Sequence, residues 1–106
     1  MKKFCFIALI AVANILPAYA QGDAAAGKLK APSCVFCHNP NGPNSNKNYP
    51  SLNGQSETYL FNAMRAYQLN QRQGALAEMM TAQLQHLNEQ DLKDVAAFYS
   101  QAQGAD

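Results

Sequence analysis

Two cysteines three residues apart, Cys34 and Cys37, are followed at once by a histidine, His38. On a helical turn, residues three apart share a face. The two thiols therefore stand together and reach one edge of a flat ligand. His38, four positions after Cys34, comes from the same turn and can swing its imidazole beneath the ligand's centre. A porphyrin with two vinyl groups along one edge and an iron at its middle suits this arrangement. Each thiol forms a thioether with a vinyl, and the imidazole binds the iron from the proximal side. Cys-x-x-Cys-His is the attachment signature of c-type haem. A longer spacer would carry one sulfur off its vinyl.

Three other chemistries use the same residue types. Structural zinc takes four protein ligands, and beyond the first twenty residues the chain offers only Cys34, Cys37, His38 and one more histidine, His86. Adjacent Cys37 and His38 are awkward corners for a tetrahedron. A thioredoxin-like redox pair needs a βαβ setting, and no segment reads as a strand. A local disulfide beside an incidental histidine is the blandest alternative. The specificity of the motif in an exported chain favours haem over all three.

An electron carrier keeps both axial positions of its iron filled, so that oxidation changes the geometry little. A thioether is a soft donor that favours the ferrous state and raises the potential. The candidates for the second axial position are Met64, Met79, Met80 and His86. Met64 falls on an apolar helix face, where methionine usually packs. Met79 and Met80 sit far along the chain from His38, where a segment crossing the other haem face would present a ligand. Spacing alone leaves these two open. No local pattern supports His86.

Helices must position these groups. Residues 22–31 read as a short alanine-rich helix with Asp23 near its start. Pro32 ends it or begins a fresh turn that holds the cysteines. Residues 39–55, crowded with Asn, Pro and Gly, are loop, and Tyr49 and Leu52 suggest that this loop wraps something. Ser56 caps a helix running from Glu57 to about Gln71, whose face is Tyr59, Leu60, Ala63, Met64 and Tyr67. Residues 69–77 end that helix around Gly74. Residues 79–87 form a short irregular or helical stretch. Asn88 then caps a last helix with Asp91 three positions on, an apolar stripe of Leu92, Val95, Ala96 and Tyr99, Phe98 beside it, and Gly104 past its end.

The 106-residue chain allows one domain. Lys2 and Lys3, the apolar run 4–16 and Ala18-Tyr19-Ala20 read as a signal peptide over residues 1–20, cut before Gln21. The run is shorter than the roughly 20 residues that span a bilayer, and Cys5 inside it is discarded with the leader. Residues 21–106 form the domain. Without Lys2 and Lys3, six basic side chains face seven acidic ones, a balance that gives no case for nucleic acid. No second stretch is long enough to cross a membrane. A domain of this size sits near the lower edge of self-sufficient stability, and a large apolar cofactor would complete its core.

Taken together, these segments resemble the class I cytochromes c, especially small bacterial monohaem members and the single-haem halves of dihaem ones. The resemblance runs from Gln21 to Gln103. It covers Gly22-Asp23-Ala24-Ala25-Ala26-Gly27-Lys28, the Cys34–His38 motif, Gly42, and Tyr49-Pro50-Ser51-Leu52-Asn53-Gly54-Gln55, similar to the family's Pro-x-Leu-x-Gly-Gln segment. It continues through Tyr59-Leu60, Arg72 and Met79-Met80-Thr81 into Leu87–Leu92 and Val95–Tyr99. It implies an all-α fold of three to five helices around one covalently bound haem c, the first and last helices crossing with Gly27 close to Phe98 or Tyr99. It implies Cys34 and Cys37 as thioether donors, His38 as proximal ligand, and Met80 as distal ligand with Met79 as fallback. The Pro50 carbonyl would accept the His38 Nδ1–H, and Tyr59 and Tyr67 would line the pocket or serve as core aromatics. Asn39 stands where many relatives have glycine, and Pro32 interrupts a stretch that is continuous helix in many.

The function implied is periplasmic transfer of single electrons on haem c, with no bond chemistry by the protein itself. The partners expected are redox proteins, a membrane respiratory complex, a terminal oxidase or a periplasmic reductase, met by a monomer through a small transient interface. With no basic ring in the sequence, strong electrostatic steering is not expected. The alternatives are a haem subunit fixed in a larger oxidoreductase and a gas-binding or sensory haem module with an open sixth position.

Overall fold

A computed structural model describes residues 21–44 and 46–103. Among these it contains five helices and no strand: α1 (Ala24–Lys30), α2 (Pro32–Cys37), α3 (Glu57–Gln68), α4 (Ala75–Leu84) and α5 (Glu89–Gln101). The expected leader over residues 1–20, with Cys5, and the expected stop at Gly104 lie outside the described residues.

Each helix starts on a local device. Asp23 accepts from the backbone N–H groups of Ala25 (2.9 Å) and Ala26 (3.1 Å), covering two donors that a helix start leaves free. Pro32 does more than stop α1. It is the first residue of α2, where a missing N–H costs nothing. Ser56 accepts from Tyr59 N–H at the head of α3. At the head of α5, Asn88 Oδ1 accepts from Asp91 N–H (2.8 Å) while Asp91 Oδ2 accepts from Asn88 N–H (2.9 Å), a complete capping box.

Two boundaries differ from expectation. α3 ends at Gln68, not near Gln71, because Asn70 adopts a left-handed φ of 54°. Gln71 N–H then bonds Ala66 O (2.9 Å) and Asn70 N–H bonds Tyr67 O (3.0 Å), the pairing that closes a Schellman terminus. Residues 79–84 take the helical of the two expected forms, and residues 85–87 lie past the helix end. α4 is regular and begins at Ala75, with Gly74 as its N-cap at φ 113° and Glu78 in its first turn. Gly74, read as the end of one helix, opens the next.

α5 is the central element, with α1 and α3 packed on it and α4 packed on α3. α1 crosses α5 at Gly27, where a Cβ would overlap the Asp94 carbonyl and crowd the Phe98 Cβ. The close approach is therefore to Asp94 and Phe98, not Tyr99. Asp94, 3% exposed, fastens the crossing. It accepts from Asp23 N–H (2.8 Å), Lys30 Nζ (2.6 Å) and Gln90 Nε2 (2.9 Å). Lys30 also reaches Asp91 at 2.8 Å. On the other face of α5, Leu60, Val95, Ala96 and Tyr99 form a buried cluster with Cys34, Leu52, Phe61, Met64 and Phe98 against it. Burying a side chain such as Leu60 contributes about 2 kcal/mol.

Candidate functional site

The expected cavity-forming segments meet around one void. α2, the 48–55 loop, α3, α4 and the inner face of α5 enclose a cavity of about 640 Å³, a size suited to a bound cofactor. Cys34, Cys37 and His38 line one side. Tyr59, Leu60, Ala63, Met64 and Tyr67, the whole predicted face of α3, line another, and Leu76, Met79 and Met80 come from α4. Tyr49 and Leu52, the loop's apolar anchors, also reach it.

His38 is the most constrained group in the cavity. It is buried, and its Nδ1 lies 2.7 Å from Pro50 O. A carbonyl only accepts, so the ring's single neutral-state proton sits on Nδ1 and Nε2 keeps a lone pair free for a metal. Its backbone N–H donates to Cys34 O (2.8 Å), and its own carbonyl accepts from Tyr99 Oη (2.7 Å). Burial pushes the Tyr99 hydroxyl well above its ordinary range, so it remains a donor there. The other end of Tyr99 is fixed too, because its backbone O accepts from Gly54 N–H (3.0 Å).

The loop that presents Pro50 is held by amide side chains in place of regular structure. Asn44 Oδ1 accepts from Asn39 N–H (2.7 Å), while Asn44 Nδ2 donates to Tyr49 O (2.7 Å). Asn53 Nδ2 donates to Asn39 O (2.9 Å), and Gln55 Nε2 donates to Ser51 O (2.7 Å). Asn39, the departure from the usual glycine, adds its side chain to this network: its Oδ1 accepts from Asn41 N–H (3.0 Å) and its Nδ2 donates to Pro43 O (3.4 Å). Side-chain amides satisfy backbone groups that no ladder reaches.

Cys34 and Cys37 are unpaired thiols, and burial pushes the Cys34 thiol upward. No group of three or more His, Cys, Asp or Glu side chains that could hold a metal occurs among the described residues. A zinc site therefore lacks its ligands, and His86 is exposed and absent from the cavity wall. Met64, Met79 and Met80 all line the cavity. The donor set fits a haem: two thiols and an imidazole lone pair on one side, thioethers from α4 and an apolar wall. A second depression, of about 670 Å³, lies between Ala24, the 40–42 turn and the end of α5. It is more open and carries no thiol, thioether or imidazole.

Three contributors escaped the sequence reading. Tyr99 was placed in a core stripe, and nothing local indicates that its hydroxyl reaches His38. Gln68 donates Nε2 to the carbonyls of Leu84 (2.8 Å) and Leu87 (2.9 Å), tying the end of α3 to the end of α4. Thr81 Oγ1 donates to Tyr67 O (3.0 Å) across the same two helices. Each joins residues more than a dozen positions apart, beyond the reach of periodicity.

Comparison with known proteins agrees with this geometry. Residues 24–103 match the family model described as Cytochrome c. The chain is 47% identical over 79 residues to cytochrome c-554(548) of Halomonas halodenitrificans, covering 74% of this chain and 95% of that one. It is 38% identical over 100 residues to cytochrome c4 of Pseudomonas aeruginosa, and 39% identical over 89 residues to that of Azotobacter vinelandii. Those matches cover 94% and 78% of this chain but only 48% and 42% of the relatives, so the chain spans about half of a cytochrome c4. Match, helices and cavity agree: the chain belongs to the class I cytochrome c family.

Proposed function

We propose that this haem c electron-transfer protein works in the periplasm, passing single electrons on an iron held between His38 and Met80. The observation that carries the reading is the meeting of Cys34, Cys37, His38 and the α4 methionines around one apolar cavity. The bound haem supplies a one-electron ferric–ferrous couple. The chain attaches it through Cys34 and Cys37, orients His38 through Pro50 O and Tyr99 Oη, and shuts water away with the α3 and α4 side chains. It performs no bond chemistry of its own and works as a monomer. Its partners are redox proteins: a membrane complex, a terminal oxidase or a periplasmic reductase.

Consecutive residues of a helix point about 100° apart, so one methionine of α4 faces the iron and the other does not. Met79 is 37% exposed, and Met80 is the more covered of the two. The family resemblance also favours Met80. A gas-binding site with an open position would leave two adjacent thioethers idle. Among the described residues no helix is long and apolar enough to cross a membrane. Export rests on the leader over residues 1–20, with the mature chain starting at Gln21.

Ligand identity is tested with Met80→Ala and Met79→Ala holoproteins. Met80→Ala is expected to lose the thioether-to-iron absorption of the ferric state and to lower the midpoint potential, while Met79→Ala keeps both. The reverse pattern would move the ligand to Met79. Loss in neither would remove methionine ligation from α4.

A further inference from the structure

The haem reading leaves one group at the cavity unassigned. Haem carries two propionates on the edge opposite its vinyls, and a carboxylate set against an apolar wall needs a cation or hydrogen-bond donors. Among the described residues that line the cavity, Arg72 is the one with a fixed charge. It stands at the rim, just past the end of α3. Its Nη1 donates to Tyr67 Oη (2.9 Å), and its guanidinium carbon lies 4.9 Å from the Tyr67 ring centroid. Tyr67 first, then Tyr59, hold the guanidinium still more firmly protonated than usual. No carboxylate lies within ion-pair distance of Arg72 among the described residues. A guanidinium has five N–H donors in a planar fork, and several remain available to a carboxylate.

We infer that Arg72, braced by Tyr67, is the anchor for a haem propionate and keeps it ionised at neutral pH. The inference rests on the haem reading above. The brace matters because a side chain already held in place loses little freedom on pairing, and the planar fork matches a carboxylate bidentately. The titratable groups that face the site from α3 are Tyr59 and Tyr67. α4 brings Leu76, Met79, Met80 and Gln83, none of them charged. The loop and α2 bring His38, Tyr49, Asn48, Gln55 and the two cysteines, and α5 brings Tyr99. Arg72 is thus the side chain whose charge fixes the propionate's ionisation. An ionised propionate beside the iron favours the ferric state, and the guanidinium offsets that effect.

The test uses holoprotein with Arg72→Gln and Arg72→Lys, following midpoint potential against pH alongside intact mass and absorption spectrum. With haem attached, Arg72→Gln is expected to move the pH at which the potential begins to fall upward by about one to three units, the usual effect of losing an opposite charge. It should also lower the potential above that step, and Arg72→Lys should restore part of both. A superimposable potential–pH curve for Arg72→Gln with haem attached overturns the inference and leaves the haem reading standing. If Arg72→Gln does not mature, Tyr67→Phe decides. It removes the Oη partner and keeps the ring, so a smaller upward shift supports the anchor and no shift overturns it. Wild-type protein without attached haem would instead defeat the reading beneath it.

Discussion

Where α1 meets α5, backbone lies against backbone. Gly27 brings the helices together on the Asp94 carbonyl, and the Asp94 carboxylate gathers Asp23 N–H, Lys30 and Gln90. Where α3 faces α4, the helices stand back from a cavity of about 640 Å³, linked by Gln68 and Thr81 reaching carbonyls across the gap. The first contact is completed by the chain. The second is completed by the cofactor, which covers the apolar surface that Met64, Leu76 and Met80 would otherwise present to water. The difference shows how a small domain reaches stability: one half is a protein core, and the other is a fitted shell around haem.

The sharpest way to break that comparison is to prevent attachment. In Cys34→Ala/Cys37→Ala, amide exchange in α3 and α4 is expected to approach that of the unfolded chain, while part of the protection in α1 and α5 survives. Equal loss in both halves would show that the cofactor also holds the crossing together. The next largest effect is on the other half. Gly27→Ala drives a methyl into the Asp94 carbonyl and should cost about 3 kcal/mol. Denaturant unfolding of the holoprotein measures the cost, with haem still attached.

Asp94→Asn should cost about 2 kcal/mol at neutral pH, the scale of hydrogen bonds to a charged group. Its pH dependence is more telling. Burial alone would raise the Asp94 carboxyl, but the donors from Asp23, Lys30 and Gln90 outweigh it and hold it below the ordinary carboxylate range. Asp91 is lowered as well, first by Lys30. A depressed carboxylate binds fewer protons folded than unfolded, so its stabilisation is complete above about pH 4 and disappears as pH falls through the folded value. The Asp94→Asn penalty should therefore shrink in acid, and a stability–pH curve shows whether it does. The smallest effect belongs to the α3–α4 link. Gln68→Ala removes two bonds to carbonyls and should cost about 1 kcal/mol, read as a shift in the denaturant midpoint.

What the sequence made legible is what local chemistry dictates. Cys34, Cys37 and His38 declare the cofactor because their spacing is that of one helical turn. Asn88 and Asp91 mark the start of α5 because each caps the other's backbone. The face of α3 is visible as a period and lines the cavity. The misjudged boundaries turn on single dihedral angles. Asn70 adopts a left-handed conformation that its residue type permits but does not require, and Gly74 serves equally to end a helix or begin one. The bonds of Asp94 to Asp23 and Lys30 and of Tyr99 to His38 were invisible because the partners lie 61 to 71 positions apart. Asp94 in sequence is one acid among several on an amphipathic helix, and only the crossing at Gly27 buries it.

The account stands on thioether attachment at Cys34 and Cys37. Intact-mass spectrometry of the purified protein, before and after acidified organic extraction, tests this directly. The predicted result is the mass of the polypeptide plus one haem, unchanged by extraction. A mass equal to the polypeptide alone, or pigment that passes into the solvent, would contradict it.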